Sequence, residues 1–267
     1  MISGNASRFR RALYTWRQPL TRRPSIAGMP VSDLFVWRNS DDWSTYFELI
    51  DVPALFMENA AVASRHATIF FFDLDGREVL KKRVSPLTNK RETVDVGELV
   101  GRDHGETGTF AVFHSETPVV VEGMGSYLTE RGYVSYRYKN SPLRSYVHGN
   151  LDAVSLRQDG RLEFLGGRGL LSRRYYLQNE LKGPARYELA LVNPSASSLR
   201  CGLDIVSARS GKALKSKRVR LGTGEATLLA FKVDESEPVR ITIASHLIMA
   251  RPLVFHIQNS KLDVFHG

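Results

Sequence analysis

Five of the chain's ten tyrosines crowd into residues 127–146: Tyr127, Tyr133, Tyr136, Tyr138 and Tyr146. Arg131, Arg137 and Arg144 lie among them, and the run closes on Ser145-Tyr146-Val147-His148-Gly149-Asn150. Side chains of a strand alternate between faces, so Tyr136 and Tyr138 share one face and Arg137 takes the other. A tyrosine platform flanked by arginine and asparagine stacks on a sugar ring while the polar groups bond its hydroxyls. The same platform can stack a base beside a phosphate. Equally, strand tyrosines fill interfaces between sheets, with their hydroxyls at the rim. The candidate ligand-binding set is Tyr136, Arg137, Tyr138, Arg144, Tyr146, His148 and Asn150.

A second chemical signal lies at the N-terminus. Residues 1–31 hold six arginines and no acid, and Phe9, Ala12, Leu13 and Trp16 fall at the spacing of one helical face. Ser7 is a candidate N-cap, and Pro19 ends the pattern. Such an arm lies on an anionic membrane surface, docks on a partner, or packs on its own protein. The residues that would carry it are Phe9, Arg10, Arg11, Leu13, Trp16 and Arg17. An arginine-rich, acid-poor start also fits an organelle transit peptide.

Other motifs do not complete. Asp73-Leu74-Asp75-Gly76 begins like a calcium loop, but Val79 and Lys81 stand where ligands are required, so a hairpin turn is the reading. Gly166-Gly167-Arg168-Gly169 lacks the spacing of a phosphate-binding loop and reads as a connection. The seven histidines are scattered without zinc-ligand spacing, although His104 and His114 flank one loop. Gly123-Met124-Gly125-Ser126 fails the nucleophile-elbow pattern. The single cysteine, Cys201, reads as a buried structural thiol on a strand and excludes an internal disulfide. Neither a metal nor a cofactor is called for.

The elements that must position these residues follow from composition. The chain has 267 residues, 42% hydrophobic and 24% charged, with a net charge of +9. These values exclude a disordered, collagen-like or coiled-coil protein. No apolar run reaches a membrane span and no secretory leader is evident, so a soluble, cytoplasmic protein is expected, peripheral to a membrane if the arm binds one. The arm accounts for +6 of the +9.

Past residue 31 the period is two. Phe70–Phe72, Thr109–Phe113, Val119–Val121, Val134–Tyr138, Tyr187–Val192, Arg240–Ala244 and Leu253–Ile257 are short β-branched or aromatic runs. Asp75-Gly76, Asp159-Gly160 and Ser210-Gly211 punctuate them as turns. The fold class is therefore all-β, a sandwich or barrel.

Setting Gly76 on Gly211 reveals an internal repeat. Lys82-Arg83-Val84 then meets Lys217-Arg218-Val219, and Phe70-Phe71-Phe72 lands on Ile205-Val206-Ser207. Thr109 to Ser115 with Pro118-Val119-Val120-Val121 corresponds to Arg240 to Ser245 with Pro252-Leu253-Val254-Phe255. A repeat this long is a domain rather than a solenoid unit. The expectation is two tandem, duplicated β-sandwiches of jelly-roll or immunoglobulin type, at 31–155 and 156–267, behind a basic helical arm and linker at 1–30.

Phe113-His114-Ser115-Glu116-Thr117-Pro118-Val119-Val120-Val121, its weaker counterpart Ala244-Ser245 to Pro252-Leu253-Val254, and Asn193-Pro194-Ser195 carry a resemblance. Each half is similar to the β-sandwich family of the sensory rhodopsin transducer, whose fold resembles carbohydrate-binding modules. The resemblance covers about two-thirds of the chain and implies the fold. It transfers no functional residue, and the doubling, the basic arm and the tyrosine-rich segment depart from the family. The function expected is a non-enzymatic binding or scaffolding protein that recognises a glycan or protein partner at the domain junction. The alternatives are an enzyme of glycan or small-molecule metabolism with a site near His148, and membrane association through the arm. Nucleic acid is disfavoured as a partner.

Overall fold

The computed structural model describes residues 30–50, 66–84, 91–114, 120–121, 126–127, 132–247 and 251–267. The arm residues Phe9, Arg10, Arg11, Leu13, Trp16 and Arg17, and the Pro118–Val119 part of the repeat, lie outside them. The described chain is all-β. In the first half come β1 (Val31–Arg38), β2 (Trp43–Ile50), β3 (Ala67–Phe72), β4 (Glu78–Val84), β5 (Arg91–Asp95) and β6 (Thr107–His114). Then follow β7 (Val120–Val121), β8 (Ser126–Tyr127), β9 (Tyr133–Tyr138), β10 (Ser145–His148), β11 (Asn150–Leu156) and β12 (Leu162–Phe164). The second half holds β13 (Arg168–Tyr176), β14 (Ala185–Val192), β15 (Leu199–Ser207) and β16 (Ala213–Leu221). It ends with β17 (Ala226–Val233), β18 (Val239–Leu247), β19 (Leu253–Gln258) and β20 (Lys261–His266). One short helix, α1 (Val96–Val100), is capped by the Asp95 carboxylate, which accepts from Glu98 N. Among the described residues, no helix is long and apolar enough to cross a membrane.

Period-two patterning decides which way each strand faces. In β2, Trp43, Thr45, Phe47 and Leu49 are buried while Ser44 and Tyr46 are not. They meet Phe35, Trp37, Phe110, Val112, Ile69 and Phe71, so the six-stranded sheet β12-β11-β1-β6-β3-β4 packs on the four-stranded sheet β10-β9-β2-β5. In the second half, β13-β18-β15-β16 packs on β17-β14-β19-β20 around Leu189, Leu203, Ile205, Ile241, Ile243 and Val254.

The strand orders match. β1-β6-β3-β4 has its counterpart in β13-β18-β15-β16, and β10-β9-β2-β5 has its counterpart in β20-β19-β14-β17. Gly76 and Gly211 occupy the same hairpin, with φ of 76° and 69°, where a side chain would be strained. Two details differ from the sequence alignment. The second hairpin is one residue longer: Asp73 N bonds Arg77 O, whereas Ser207 N bonds Lys212 O. The inward residues Ile69 and Phe71 therefore match Leu203 and Ile205, and the upstream strand slips by one. Secondly, the counterpart of β19 is β9; among the described residues, Val120 and Val121 pair only with β8. β12 lies beyond residue 155 yet pairs with β11, because Asp159-Gly160 turns the chain back as a hairpin.

The halves share their core. Ala190, Leu253, Phe255, Ile257 and Val264, from the outer face of the β17-β14-β19-β20 sheet, join the first-half cluster. The Phe255 ring meets Trp43 at 5.3 Å and Tyr136 at 5.0 Å. Arg38 lies 3.6 Å from the Trp43 ring and reaches Glu188 at 2.5 Å, both side chains nearly buried. Burial pulls the Arg38 pKa below its ordinary value, and the Glu188 carboxylate opposes that.

Candidate functional site

Strand alternation divides the tyrosine-rich segment. Tyr136 is fully buried and Tyr138 nearly so, both on the inward face of β9. The Tyr136 hydroxyl donates to Val36 O at 2.7 Å, and burial raises its pKa far above the usual phenol value. These two rings seal the core and offer no platform to solvent. The junction retains a cavity of about 20 Å³ beside Tyr136, His148, Gly149 and His266, enough for one water. His148 is half-buried: its Nδ1–H donates to Gly149 O, and its ring lies 4.6 Å from that of His266. The His266 Nε2–H donates to His148 O at 2.7 Å, and burial pulls the His266 pKa down to about 4. Asn150 begins β11, in the other sheet, apart from the rest of the set.

The remaining predicted residues meet on the outer face of β10-β9-β2-β5. Register sets Tyr146 beside Ser135, then Tyr46, then Asp95; the next row runs His148, Tyr133, Glu48, Thr93. Tyr133 and Tyr146 are about half exposed. Tyr46 is covered by guanidinium groups, with Arg144 4.5 Å and Arg137 5.6 Å from its ring centre. Beneath them Glu48 is buried; its carboxylate takes Arg91 Nε at 3.0 Å and Thr93 Oγ1 at 2.9 Å, with Arg144 at 3.8 Å. Ser135 Oγ, buried between the two tyrosine columns, has no hydrogen-bond partner among the described residues. Arg137, Arg144 and Tyr146 are thus brought together with Tyr133, named in the crowded run but left out of the candidate set, and with Tyr46 and Glu48, which the composition-based reading missed. The missing signal is the alternation Ser44, Tyr46, Glu48 against Trp43, Thr45, Phe47 in one strand.

A second polar surface lies on the outer face of β13-β18-β15-β16. The register aligns Arg174, Ala244, Gly202 and Arg218 in one row, and His246, Arg200 and Arg220 in the next. The small residues Ala244 and Gly202 form the floor of an open cup of about 560 Å³ that Ser172, Arg200, Arg218, Arg220 and His246 line. A Cβ at Gly202 would collide with the Arg218 guanidinium, so glycine is what lets that side chain lie across the floor. Cys201 faces the opposite way: it is buried, burial raises its thiol pKa, and a hydrogen bond with Ser245 acts against that rise. The charge behind this surface is visible in the sequence once the halves are counted apart. Residues 168–267 hold 16 Lys+Arg against 8 Asp+Glu, whereas residues 32–167 hold 15 against 20. A remainder of +3 beyond the arm conceals a basic half and an acidic one.

Among the described residues no three His, Cys, Asp or Glu side chains gather as a metal ion would require. No protein-family model matches the chain, and none of the curated proteins does. Solved structures give distant similarities. A glycosyl hydrolase family 2 member from Bacteroides cellulosilyticus DSM 14838 aligns at 12% identity and a TM-score of 0.17, over 87% of this chain and 27% of that one. A calcium-binding mutant of Bacteroides uniformis β-glucuronidase 2 aligns at 9% and 0.18, over 91% and 28%. The infectious bursal disease virus Gx strain structure aligns at 10% and 0.15, over 84% and 55%. The chain spans little more than a quarter of the two glycosidase chains, and likeness at this level carries no argument about its chemistry.

Proposed function

We propose that the protein is a non-enzymatic binding protein made of two tandem, duplicated β-sandwiches, and that it recognises a carbohydrate chain. The matched strand orders of the two halves support the duplication. The observation that carries the carbohydrate reading is the outer face of β10-β9-β2-β5. Exposed Tyr133 and Tyr146 supply apolar faces for sugar rings, and Arg137 and Arg144 supply polar groups beside them. Glu48 fixes Arg144 from below, so the guanidinium is held before a ligand arrives. A rigid sheet is a suitable base for such a site, because little order must be created on binding.

The test is a glycan array with the full chain, followed by calorimetric titration of the ligand found. Tyr146→Ala and Arg144→Ala should each weaken binding by about 10-fold or more, without lowering the unfolding midpoint. Tyr136→Phe should leave the affinity unchanged, since its hydroxyl is spent on Val36 inside the core. An array with no ligand, or a Tyr146→Ala variant that binds as well as the parent, overturns the reading.

A further inference from the structure

The basic cup on the second half sits beside an unusual break in the edge strand. Arg168 pairs with Leu247 and Arg173 with Ser245, so six residues of β13 span three of β18. The extra residues bulge outward and carry Leu170 and Leu171, which are 68% and 80% exposed. Adjacent leucines so far from any core are the costliest side chains to leave in water on this surface. The bulge ends at Ser172, which lines the cup, and His246 Nδ1–H donates to Gly169 O at its other end.

Within the cup, Arg200 and Arg220 stand directly opposite each other across β15 and β16. Like charges in that relation repel, and a fold gains nothing by placing them there. Among the described residues, no carboxylate forms an ion pair with Arg174, Arg200, Arg218 or Arg220. The carboxylate facing the same side, Asp204, accepts from Ser216 Oγ at 2.7 Å, and Glu180 is taken by Arg240. Among the described residues, the Arg220 guanidinium has a single long hydrogen bond, to Ser198 Oγ at 3.4 Å. Convergent, unpaired guanidinium groups over a small-residue floor match the planar, multiply charged oxygens of a phosphate.

We infer that this face binds a membrane surface bearing phosphorylated lipid headgroups, the cup holding the headgroup phosphate and Leu170 and Leu171 entering the acyl boundary. The two features select the occupant together. A free phosphate compound would use the arginines and leave the leucines in water. A purely apolar partner would leave the arginines unmatched. A lipid interface is polar and anionic at one depth and apolar a few ångströms deeper, which suits a basic cup with leucines at its rim. This site is separate from the tyrosine face and does not depend on the carbohydrate reading.

The test floats the full chain with vesicles of phosphatidylcholine, alone or doped with phosphatidylinositol bisphosphate, and titrates soluble inositol trisphosphate by calorimetry. The parent protein should float with doped vesicles and not with phosphatidylcholine alone. Leu170→Ser/Leu171→Ser should lose about 10-fold or more in vesicle affinity and keep its affinity for inositol trisphosphate. Arg200→Gln/Arg220→Gln should lose about 30-fold on vesicles and also lose the soluble headgroup. All four positions are at or near the surface, and circular dichroism checks that both variants fold. Tyr146→Ala should float like the parent, which separates this inference from the carbohydrate reading. Absence of flotation overturns it, as does flotation undiminished in both double variants, which would assign membrane binding to residues 1–29. Binding of inositol trisphosphate without flotation also overturns it, in favour of a soluble phosphate ligand.

Discussion

The outer faces of β1-β6-β3-β4 and of β13-β18-β15-β16 have the same strands in the same order, and they end as opposites. Register aligns Thr68, Phe70 and Phe113 of the first face with Gly202, Asp204 and Ala244 of the second. Arg83, opposite Thr68, matches Arg218, opposite Gly202. In the first half Phe70 and Phe113 are buried, their rings 5.7 Å apart, under a cover that includes Phe164 of β12. In the second half nothing large rises from the floor and the cup stays open. The inward residues fix the framework in both halves, so the outward ones are free to become either an interface or a binding surface. Three side-chain sizes separate the two outcomes.

Truncation breaks the symmetry most visibly. Phe113→Ala should destabilise the protein by about 4 kcal/mol, through lost burial and the cavity left beside Phe70. The reverse exchange, Ala244→Phe, should alter stability by less than about 1 kcal/mol, because its position opens to solvent, while filling the cup and removing phosphate binding. Urea denaturation of the two variants checks both statements. Equal losses would mean that the two faces are not physically distinct.

The next effect concerns what joins the halves. Glu188→Ala leaves Arg38 charged, nearly buried and without its carboxylate, and should cost about 3 kcal/mol. Stacking of Arg38 on Trp43 limits the loss. Arg38→Met/Glu188→Leu should recover most of it, since no buried unpaired charge then remains and Arg186, the other partner of Glu188, is half exposed. If the double variant is less stable than Glu188→Ala, the pair contributes net stability and this account of the junction fails.

Much of the framework was legible because alternation and hairpin glycines are local signals. The runs around Phe71, Phe110, Val134, Leu189 and Ile243 are strands, and Gly76 and Gly211 turn equivalent hairpins. Alternation also separated Tyr136 and Tyr138 from Arg137. It could not say which of those faces is inside, because that depends on Phe255 arriving from a strand over a hundred residues away. Composition drew attention to the crowded tyrosines and passed over the lone Tyr46. Gly166-Gly167-Arg168-Gly169 reads as a connection from its glycines, yet β13 begins at Arg168, and the bulge that follows is what exposes Leu170 and Leu171.

The junction should also respond to acid. The unfolded chain protonates His266 near 6.5, whereas in the folded protein burial, with smaller contributions from His148 and Arg251, holds it neutral until about 4. Between those values the unfolded state binds the extra proton, so stability falls as pH drops from 6.5 towards 4. The loss should be on the order of 2 kcal/mol, and His266→Gln should flatten that part of the profile. Thermal unfolding across the window reads the slope, and a slope unchanged in His266→Gln would assign it to other groups.

The smallest effect bears on the cup itself. Arg200 and Arg220 face each other across neighbouring strands with no ion-paired acid, so their repulsion is part of the ligand-free state. Arg220→Glu replaces that repulsion with attraction across the same pair, without disturbing the buried residues below. The protein should become more stable by about 0.5 kcal/mol at low ionic strength. Salt should erase the gain, because exposed charges a few ångströms apart are screened as the Debye length shortens. Inositol trisphosphate should then reverse the order: it stabilises the parent by occupying the cup and leaves Arg220→Glu unaffected. Unfolding midpoints of both proteins, at low and high salt and with and without the headgroup, make four comparisons. A variant less stable than the parent at low salt, or one still stabilised by the headgroup, would mean that Arg220 serves the sheet rather than a ligand.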